Sequence, residues 1–431
     1  MARDGGMIPV SLQEIEALRL GRLERGSDAG HVTGVRADSR TVGRGDLFVA
    51  LNTGVAYVDD AKQRGAATLI PDDQQVALAA LASLVRSKSS ARVVAVVGST
   101  GKTTTKDILG ALCAAVVPTV YPEESLNNEI GLPLTVCRLE PETEVLITEM
   151  GMRGLGQIAE LCAIARPRFA LVTSIGPEHL GLIGSIDDVA GANAEAIDAL
   201  PSGGVAVVPA GVPELERRLE RTDIEILRFD AHDVSIGGHV ATFRLAGQVL
   251  QLTVPFVQRH FAENMLGALV AYAALGLPLE RAQEGASQIR LSRWRGEEIA
   301  LPGGGFVVND AYNANPTSMR AALLDLSGRA RGRRRVAVLG EMAELGLDAD
   351  RYHRSVGELV AETVDVLVAV GERARLYMEP GVAEMHWVER AEALENVVRP
   401  GDAVLVKASR AVGLEGVPDR IAKLAEAWSE S

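Results

Sequence analysis

The 431-residue chain has few cysteines, few aromatic residues and no long apolar run. Cys113, Cys137 and Cys162 have neither metal-ligand spacing nor a disulfide pattern, which favours small buried side chains in a reducing compartment. No apolar stretch reaches the roughly 20 residues that span a bilayer, and the N-terminus lacks the apolar core of a signal peptide. The net charge of −13 argues against non-specific nucleic-acid binding. We therefore expect a cytoplasmic protein without membrane insertion or a nucleic-acid partner.

What is present is typical of several globular domains. Hydrophobic residues make up 47% of the chain, and apolar strand patterns alternate with helical ones, as in mostly parallel sheets. The predicted fold class is α/β with three domains. They are a small α/β N-terminal domain over 1–90, a central P-loop mononucleotide-binding domain over 91–297 and a C-terminal Rossmann-like α/β domain over 298–431.

The segment from Val93 to Thr104 carries the clearest chemistry. An apolar β-branched run ends in a loop and a helix start, formed in order by Gly98, Ser99, Thr100, Gly101, Lys102, Thr103 and Thr104. Loop amides and the helix N-terminus would face an anion, with Lys102 as a cation and Thr103 as a Mg²⁺ ligand. Val96 stands where G-x-x-x-x-G-K-[ST] has its first glycine. A glycine-rich turn can simply join a strand to a helix, but lysine before two threonines favours a nucleotide-phosphate site.

Polar residues follow three consecutive predicted strands. Lys102, Glu149 and His179 each come after a strand end. Ligands of parallel sheets gather beyond these carboxyl ends, and a glutamate there can complete a Mg²⁺ shell. For each residue taken singly, a surface glutamate or a histidine at the edge of the core is the safer interpretation. Their recurrence predicts a site.

Two further polar segments have two interpretations each. Asp38, Ser39 and Arg40 end a strand and either hold a polar ligand or form a capped turn. Arg293 and Arg295 either meet a phosphate bidentately or are solvated.

The chain is similar to the Mur ligase family nearly from end to end. The motifs that carry this resemblance are Asp38-Ser-Arg with Gly45-Asp-Leu-Phe-Val-Ala, Gly98-Ser-Thr-Gly-Lys-Thr-Thr, Asn127-Asn128-x-Ile-Gly-x-Pro133, Glu149-Met-Gly151, His179-Leu180, Arg259-His260 with Asn264, Asn309-Asp-Ala-Tyr-Asn-Ala-Asn-Pro316 with Ser318-Met319, Gly340-Glu-Met-x-Glu-Leu-Gly346 with His353, and Lys407-x-Ser-Arg410. The Tyr-Asn-Ala-Asn-Pro and Glu-Met-x-Glu-Leu-Gly strings are specific, and the order of the motifs is that of the family.

The resemblance implies an ATP-dependent, ADP-forming amide ligase of peptidoglycan precursor synthesis. Its first domain would bind the UDP part of the acceptor, its second would bind ATP, and its third would close over the nucleotide and admit the amine. The resemblance is strongest to members that add D-alanyl-D-alanine to UDP-N-acetylmuramoyl tripeptide through an acyl phosphate. The cofactors implied are ATP and Mg²⁺, and we expect a monomer.

Site residues follow from the same resemblance. The expected catalytic residues are Lys102, Glu149, His179 and Arg295. The expected ATP-binding residues are Gly98, Ser99, Thr100, Gly101, Lys102, Thr103 and Thr104, with Asn264 near adenine, Asp310 near ribose, and Arg293 and Arg295. The expected substrate-binding residues are Asp38, Ser39, Arg40, Asn127, Asn128, Tyr312, Asn313, Asn315 and Lys407. The expected metal ligands are Thr103, Glu149 and, for a second Mg²⁺, His179.

Two departures leave alternatives open. Asn193, two residues before Glu195, stands where many relatives carry a carbamylated lysine, so a second Mg²⁺ should bind more weakly unless Glu195 or another carboxylate compensates. The segment 52–60 is shorter than in relatives and lacks their Asp-Gly-His. One alternative is a related ligase with a different carboxylate acceptor and amine, and another is a nucleotide-binding scaffold without catalysis. The third residue of the tripeptide is not predicted.

Overall fold

A computed structural model describes residues 6–26, 30–245, 247–378, 380–391 and 397–426. Its elements form three consecutive groups, termed the first, middle and third units. No helix among the described residues is long and apolar enough to cross a membrane.

The first unit is a small sheet with flanking helices. Its elements are β1 (Val10–Ser11), α1 (Leu12–Ala17), β2 (Gly21–Glu24), β3 (His31–Val32), β4 (Gly34–Arg36), β5 (Asp46–Val49), α2 (Val58–Gln63), β6 (Ala67–Pro71) and α3 (Gln74–Ser87). β4, β5 and β6 pair in parallel, and β2 lies antiparallel to β6. Asp73 begins α3 by accepting hydrogen bonds from the backbone N–H groups of Gln75 and Val76.

The middle unit is built on a parallel sheet. Its elements are β7 (Arg92–Val97), α4 (Lys102–Ala114), β8 (Thr119–Val120), α5 (Gly131–Val136), β9 (Val145–Glu149), α6 (Gln157–Ala165), β10 (Phe169–Val172), α7 (Leu180–Ile183), α8 (Ile186–Asp198), β11 (Val205–Pro209), α9 (Pro213–Glu216), β12 (Glu225–Phe229), β13 (Val234–Gly237), β14 (Val240–Leu245), β15 (Gln248–Thr253), α10 (Arg259–Ala274) and α11 (Ala282–Ala286). The strand order is β12-β11-β10-β7-β9-β8, and β13, β14 and β15 form a separate antiparallel sheet. The ends of β10, β7 and β9 are therefore neighbours.

The third unit has a second, mostly parallel sheet. Its elements are β16 (Glu297–Leu301), β17 (Gly305–Asp310), α12 (Pro316–Ala330), β18 (Arg335–Gly340), α13 (Ala349–Thr363), β19 (Val366–Val370), β20 (Glu384–Val388), β21 (Ala403–Lys407) and α14 (Val417–Glu426). The order is β16-β17-β21-β18-β19-β20, with β16 antiparallel to β17. Asp310 and Lys407 end two adjacent strands.

The first and middle units share one hydrophobic core. Leu78, Leu81 and Val85 of α3 belong to the same buried cluster as residues of β7 and β10. Arg86 of α3 also donates a hydrogen bond to the carbonyl oxygen of Ala165 at 2.8 Å. The third unit has its own clusters on the two faces of its sheet.

The α/β class with mostly parallel sheets is confirmed. The β-branched runs at β7, β9, β10, β17, β18, β19 and β21 form strands close to where their pattern predicts them. The pattern did not indicate β2, β16 or β20, because these edge strands are short and partly polar and mix exposed and half-buried residues.

Candidate active site

The loop between β7 and α4 has backbone geometry that requires its two glycines. Gly98 has φ +130°, and a Cβ there would lie 2.2 Å from Oγ1 of Thr173. Gly101 has φ +78°, and its Cβ would lie 2.4 Å from Oδ1 of Asn264. Asn264, expected near adenine, thus packs on the loop itself. The N-terminus of α4 opens into the cleft directly behind this loop.

Lys102 is held by an acidic partner. Its ammonium donates to the carbonyl oxygen of Gly98 and lies 3.3 Å from Oε2 of Glu178. The Glu178 side chain is only 7% exposed. Burial raises the pKa of its carboxyl, and the Lys102 ammonium opposes that rise. Sequence reasoning missed Glu178, although it directly precedes His179 at the same strand end.

Glu149 lies at the centre of a hydroxyl and amide cluster. Its Oε1 accepts hydrogen bonds from Ser125 at 2.7 Å, Asn127 at 2.8 Å and Thr103 at 3.1 Å. Its Oε2 is buried without a hydrogen-bond partner. A buried carboxylate oxygen without a donor suits a cation, and Mg²⁺ prefers such oxygen ligands. Thr103 and Glu149, both expected as metal ligands, therefore lie together, and Asn127, expected to bind substrate, contacts the same carboxylate.

Arg295 extends this cluster toward the third unit. One of its Nη atoms donates to Oγ1 of Thr103 at 3.0 Å, and its guanidinium lies 4.1 Å from the ring centre of Tyr312. Its buried Nε has no partner. Arg293 instead lies 5.1 Å from the ring centre of Trp294. Of the two arginines, Arg295 is therefore the one placed beside the phosphate loop.

The third unit adds a charged pair at the ends of β17 and β21. The Lys407 ammonium donates to Asp310 at 2.6 Å and to the carbonyl oxygen of Asn313 at 2.9 Å. Burial lowers the pKa of the neighbouring His260 to about 4. Arg410 lies 4.1 Å from the ring centre of Trp294, a contact that sequence reasoning also missed.

His179 connects the middle and third units. It has φ +50°, and its Nδ1 hydrogen-bonds to the carboxylate of Glu344. The backbone N–H of Gly181 donates to the carbonyl oxygen of Glu344 at 3.2 Å. The segment that follows β10 is therefore in contact with the segment that follows β18.

Other predicted residues have local structural roles. Asn128 accepts hydrogen bonds from backbone N–H groups at the start of α5, and Asn315 caps α12. Both still line the cleft. Asp38 and Arg40 pair with each other in an exposed turn that does not belong to the cleft lining, and Ser39 beside them is buried.

Asn193 and Glu195, at and beside the position of the absent lysine, are both engaged in local hydrogen bonds. The Asn193 side chain is buried and donates to the carbonyl oxygen of Val189 at 2.9 Å. Glu195 accepts backbone hydrogen bonds from Gly156 and Ala159 at the start of α6. Both side chains therefore serve helix structure.

One cleft of about 2010 Å³ joins these groups. It runs from Asp310 and Tyr312 past the phosphate loop and Glu149 to Gln75 and Val76 of α3. All three units therefore contribute to it. Among the described residues, no group of three or more His, Cys, Asp or Glu side chains is arranged so that it could hold a metal ion by itself. That is compatible with Mg²⁺, which is commonly held by one or two carboxylates together with substrate phosphates.

The fold and the cleft define a nucleotide-phosphate-binding α/β protein, and comparison with known proteins narrows the class. Residues 96–272 match the Mur ligase middle domain, and residues 294–410 match the Mur ligase, glutamate ligase domain. The UDP-N-acetylmuramoyl-tripeptide–D-alanyl-D-alanine ligase of Escherichia coli is 31% identical, over 95% of this chain and 98% of that protein. The chain belongs to the Mur ligase family.

Solved structures show the same architecture. A crystal structure of MurF from Acinetobacter baumannii superposes with a TM-score of 0.85 at 26% identity, covering 97% of this chain and 100% of that one. The MurF ligase of Thermotoga maritima in complex with ADP gives a TM-score of 0.78 at 26% identity, covering 91% of this chain and 98% of that one. The resemblance inferred from sequence motifs is confirmed.

Proposed function

We propose that this ATP-dependent ligase joins D-alanyl-D-alanine to UDP-N-acetylmuramoyl tripeptide, forming ADP and phosphate. The observation that carries the proposal is the single cleft in which a phosphate loop, Glu149 and Arg295 face polar residues of the third unit. The end-to-end similarity to ligases of that name supports the choice of substrates.

The chain's own cations suit phosphoryl transfer to the acceptor carboxylate. That reaction needs positioning and neutralisation of charge on the γ-phosphate oxygens. Lys102 contacts the loop carbonyl of Gly98, and Arg295 contacts Thr103 in the first turn of α4, whose N-terminus follows the loop directly. Closure of the third unit would exclude water while the amine attacks the acyl phosphate.

A Mg²⁺ ion fits beside the loop. Thr103 and Glu149 are the residues that would hold it, since Glu149 keeps a buried oxygen without a partner. The ion would supply further neutralisation of the phosphate oxygens. His179 follows the neighbouring strand and would serve a second ion.

The remaining assignments follow the three units. We place the domain boundaries at 1–90, 91–297 and 298–431, because α3 ends at Ser87, β7 begins at Arg92 and β16 pairs within the third sheet. The family resemblance supports a role for Asp38, Ser39 and Arg40 of the first domain in binding the UDP part of the acceptor, outside the lining of the cleft described above. Asn127, Asn128, Tyr312, Asn313, Asn315 and Lys407 would contact the peptide or the amine. We propose a cytoplasmic monomer that binds no nucleic acid.

The test is phosphate release from MgATP with UDP-N-acetylmuramoyl tripeptide, with and without D-alanyl-D-alanine. We expect release that requires both substrates. Absence of release in protein that still binds ADP would reject this substrate pair, and a screen of other carboxylates and amines would follow. Failure of any pair to support release would indicate a binding protein without catalysis.

A further inference from the structure

Glu178 has a partner that nucleotide binding should remove. Its carboxylate lies 3.3 Å from the Lys102 ammonium in a nearly closed environment. The segment carrying Glu178 is also fixed to the phosphate loop, because Ser99 bonds to both the N–H and the carbonyl oxygen of Gly176. When Lys102 turns to a nucleotide phosphate, Glu178 cannot follow it. A buried carboxylate would then be left without a counter-charge, which is strongly unfavourable.

The adjacent histidine is oriented as a metal ligand would be. Metal-binding imidazoles commonly donate their second nitrogen to a carboxylate, which fixes the ring. His179 has that arrangement, with Nδ1 on Glu344 and Nε2 lying 3.9 Å from Oε2 of Glu178. Two ligands of one Mg²⁺ ion lie roughly 3 Å apart when adjacent and about 4 Å apart when opposite, since each bond is about 2.1 Å. The two atoms are therefore within the span of one ion.

The geometry points to Glu178 as a ligand of a divalent cation shared with His179, taken up in exchange for Lys102 when the nucleotide binds. Glu178 thus supplies the carboxylate that neither Asn193 nor Glu195 provides. Glu344 acts as a positioning residue, because it orients His179 from the third unit. This inference rests on the proposed use of MgATP, and it adds Glu178 to the expected metal ligands.

The test compares wild type with Glu178→Gln, which keeps the shape and removes the charge. Glu142→Gln, in an exposed turn before β9, is the matched control. Mn²⁺ binding in the presence of ADP is followed by electron paramagnetic resonance. ADP affinity is measured by calorimetry with chelator and with Mg²⁺.

We expect Glu178→Gln to weaken one Mn²⁺ site by about tenfold or more, as loss of a ligand does. ADP binding without divalent cation should become tighter in this variant, because no buried carboxylate loses its partner. The control should match wild type in both measurements. Unchanged Mn²⁺ binding would overturn the inference, even if ADP bound more tightly, since Glu178 would then be only a counter-charge for Lys102.

A second variant keeps the inference testable if Glu178→Gln fails to fold. Glu178→Asp keeps the charge but retracts the carboxylate, so Mn²⁺ should again bind more weakly while metal-free ADP affinity stays near wild type. Wild-type Mn²⁺ affinity in this variant would also overturn the inference. Both measurements need only ADP, so they decide the role of Glu178 even if wild type fails to release phosphate with the proposed substrates. A wild-type ADP affinity that is the same with and without divalent cations would overturn this inference, whereas the phosphate-release assay decides the proposed function.

Discussion

Several charged side chains of the cleft are partly buried and each contacts a polar partner, although Nε of Arg295 and Oε2 of Glu149 have none. Lys102 pairs with Glu178, Lys407 pairs with Asp310, and Arg295 reaches Thr103. Such pairs add little net stability when intact but are costly to break from one side. Their value here is that each can exchange its partner for a substrate charge.

Lys102→Ala should therefore affect both activity and stability. Loss of a key charged donor to the transition state typically lowers the rate by about 100-fold or more. The change also leaves the buried Glu178 carboxylate without its cationic partner. This should lower the free energy of unfolding by roughly 3 kcal/mol. Phosphate release and urea unfolding measure the two effects.

The double variant Lys102→Ala with Glu178→Gln separates them. The double variant should recover much of the stability, because the unpaired Glu178 charge is gone. It should recover none of the activity, because the nucleotide phosphate still lacks the Lys102 ammonium. A single Lys102→Ala variant within about threefold of the wild-type rate would contradict the assigned role.

His260 should make the protein sensitive to acid. Its pKa is lowered by burial from 6.5 to about 4, so the unfolded chain takes up a proton before the folded one does. Neutral His260 makes its full contribution to the free energy of unfolding above pH 6.5, and this contribution is lost as the pH falls toward 4. We expect the free energy of unfolding to be about 2 kcal/mol lower at pH 5 than at pH 7. His260→Gln should lose less stability over that range. His232→Gln, at an exposed histidine, is the control and should behave as wild type.

The local pattern predicted the strand, loop and helix around Gly98–Thr104, whereas the distant contact partner of Lys102 could not be predicted. The loop from Gly98 to Thr104 is contiguous, so its composition and spacing suffice. Glu178 pairs with a lysine 76 positions away, and only the strand order brings them together. A sheet order of this kind depends on packing of the whole domain, which a short window of sequence does not contain.

At the scale of elements, one of the contacts between the middle and third units depends on two glycines. The start of α7 contacts the segment that follows β18, and the backbones of Gly181 and Gly346 approach each other closely there. Gly346 has φ +63°, and a Cβ on it would lie 2.7 Å from Cα of Gly181. Two glycines therefore permit the approach that joins His179 to Glu344.

Gly346→Ala should separate these segments and reduce catalysis. We expect kcat to fall about tenfold to 100-fold, because small misplacements of reacting groups have effects of that size. Gly328→Ala in α12 is the matched control, since its Cβ would meet nothing within 4 Å and alanine favours a helix. Wild-type kcat for Gly346→Ala in the ligase assay would show that this contact is not needed for turnover.

At the scale of the whole molecule, the structure has three units but not three independent cores. The buried cluster that includes α3 continues into β7 and β10 of the middle unit. The third unit packs its helices on its own sheet. Shared cores unfold together, whereas separate ones can unfold separately. The boundaries predicted from the sequence pattern do not show which units share a core, because that depends on how α3 packs against β7 and β10.

Calorimetry should therefore show two unfolding transitions, one for the first and middle units together and one for the third. Leu81→Ala, in the shared core, should lower only the midpoint temperature of the transition of the first and middle units. Leu323→Ala, buried in α12, should lower only the midpoint temperature of the transition of the third unit. Each deletion should cost roughly 2–5 kcal/mol, as buried leucine truncations do. The two variants are matched in chemistry, so each is the control for the other. A small third transition that alone responds to Leu81→Ala would mean that the first unit folds by itself.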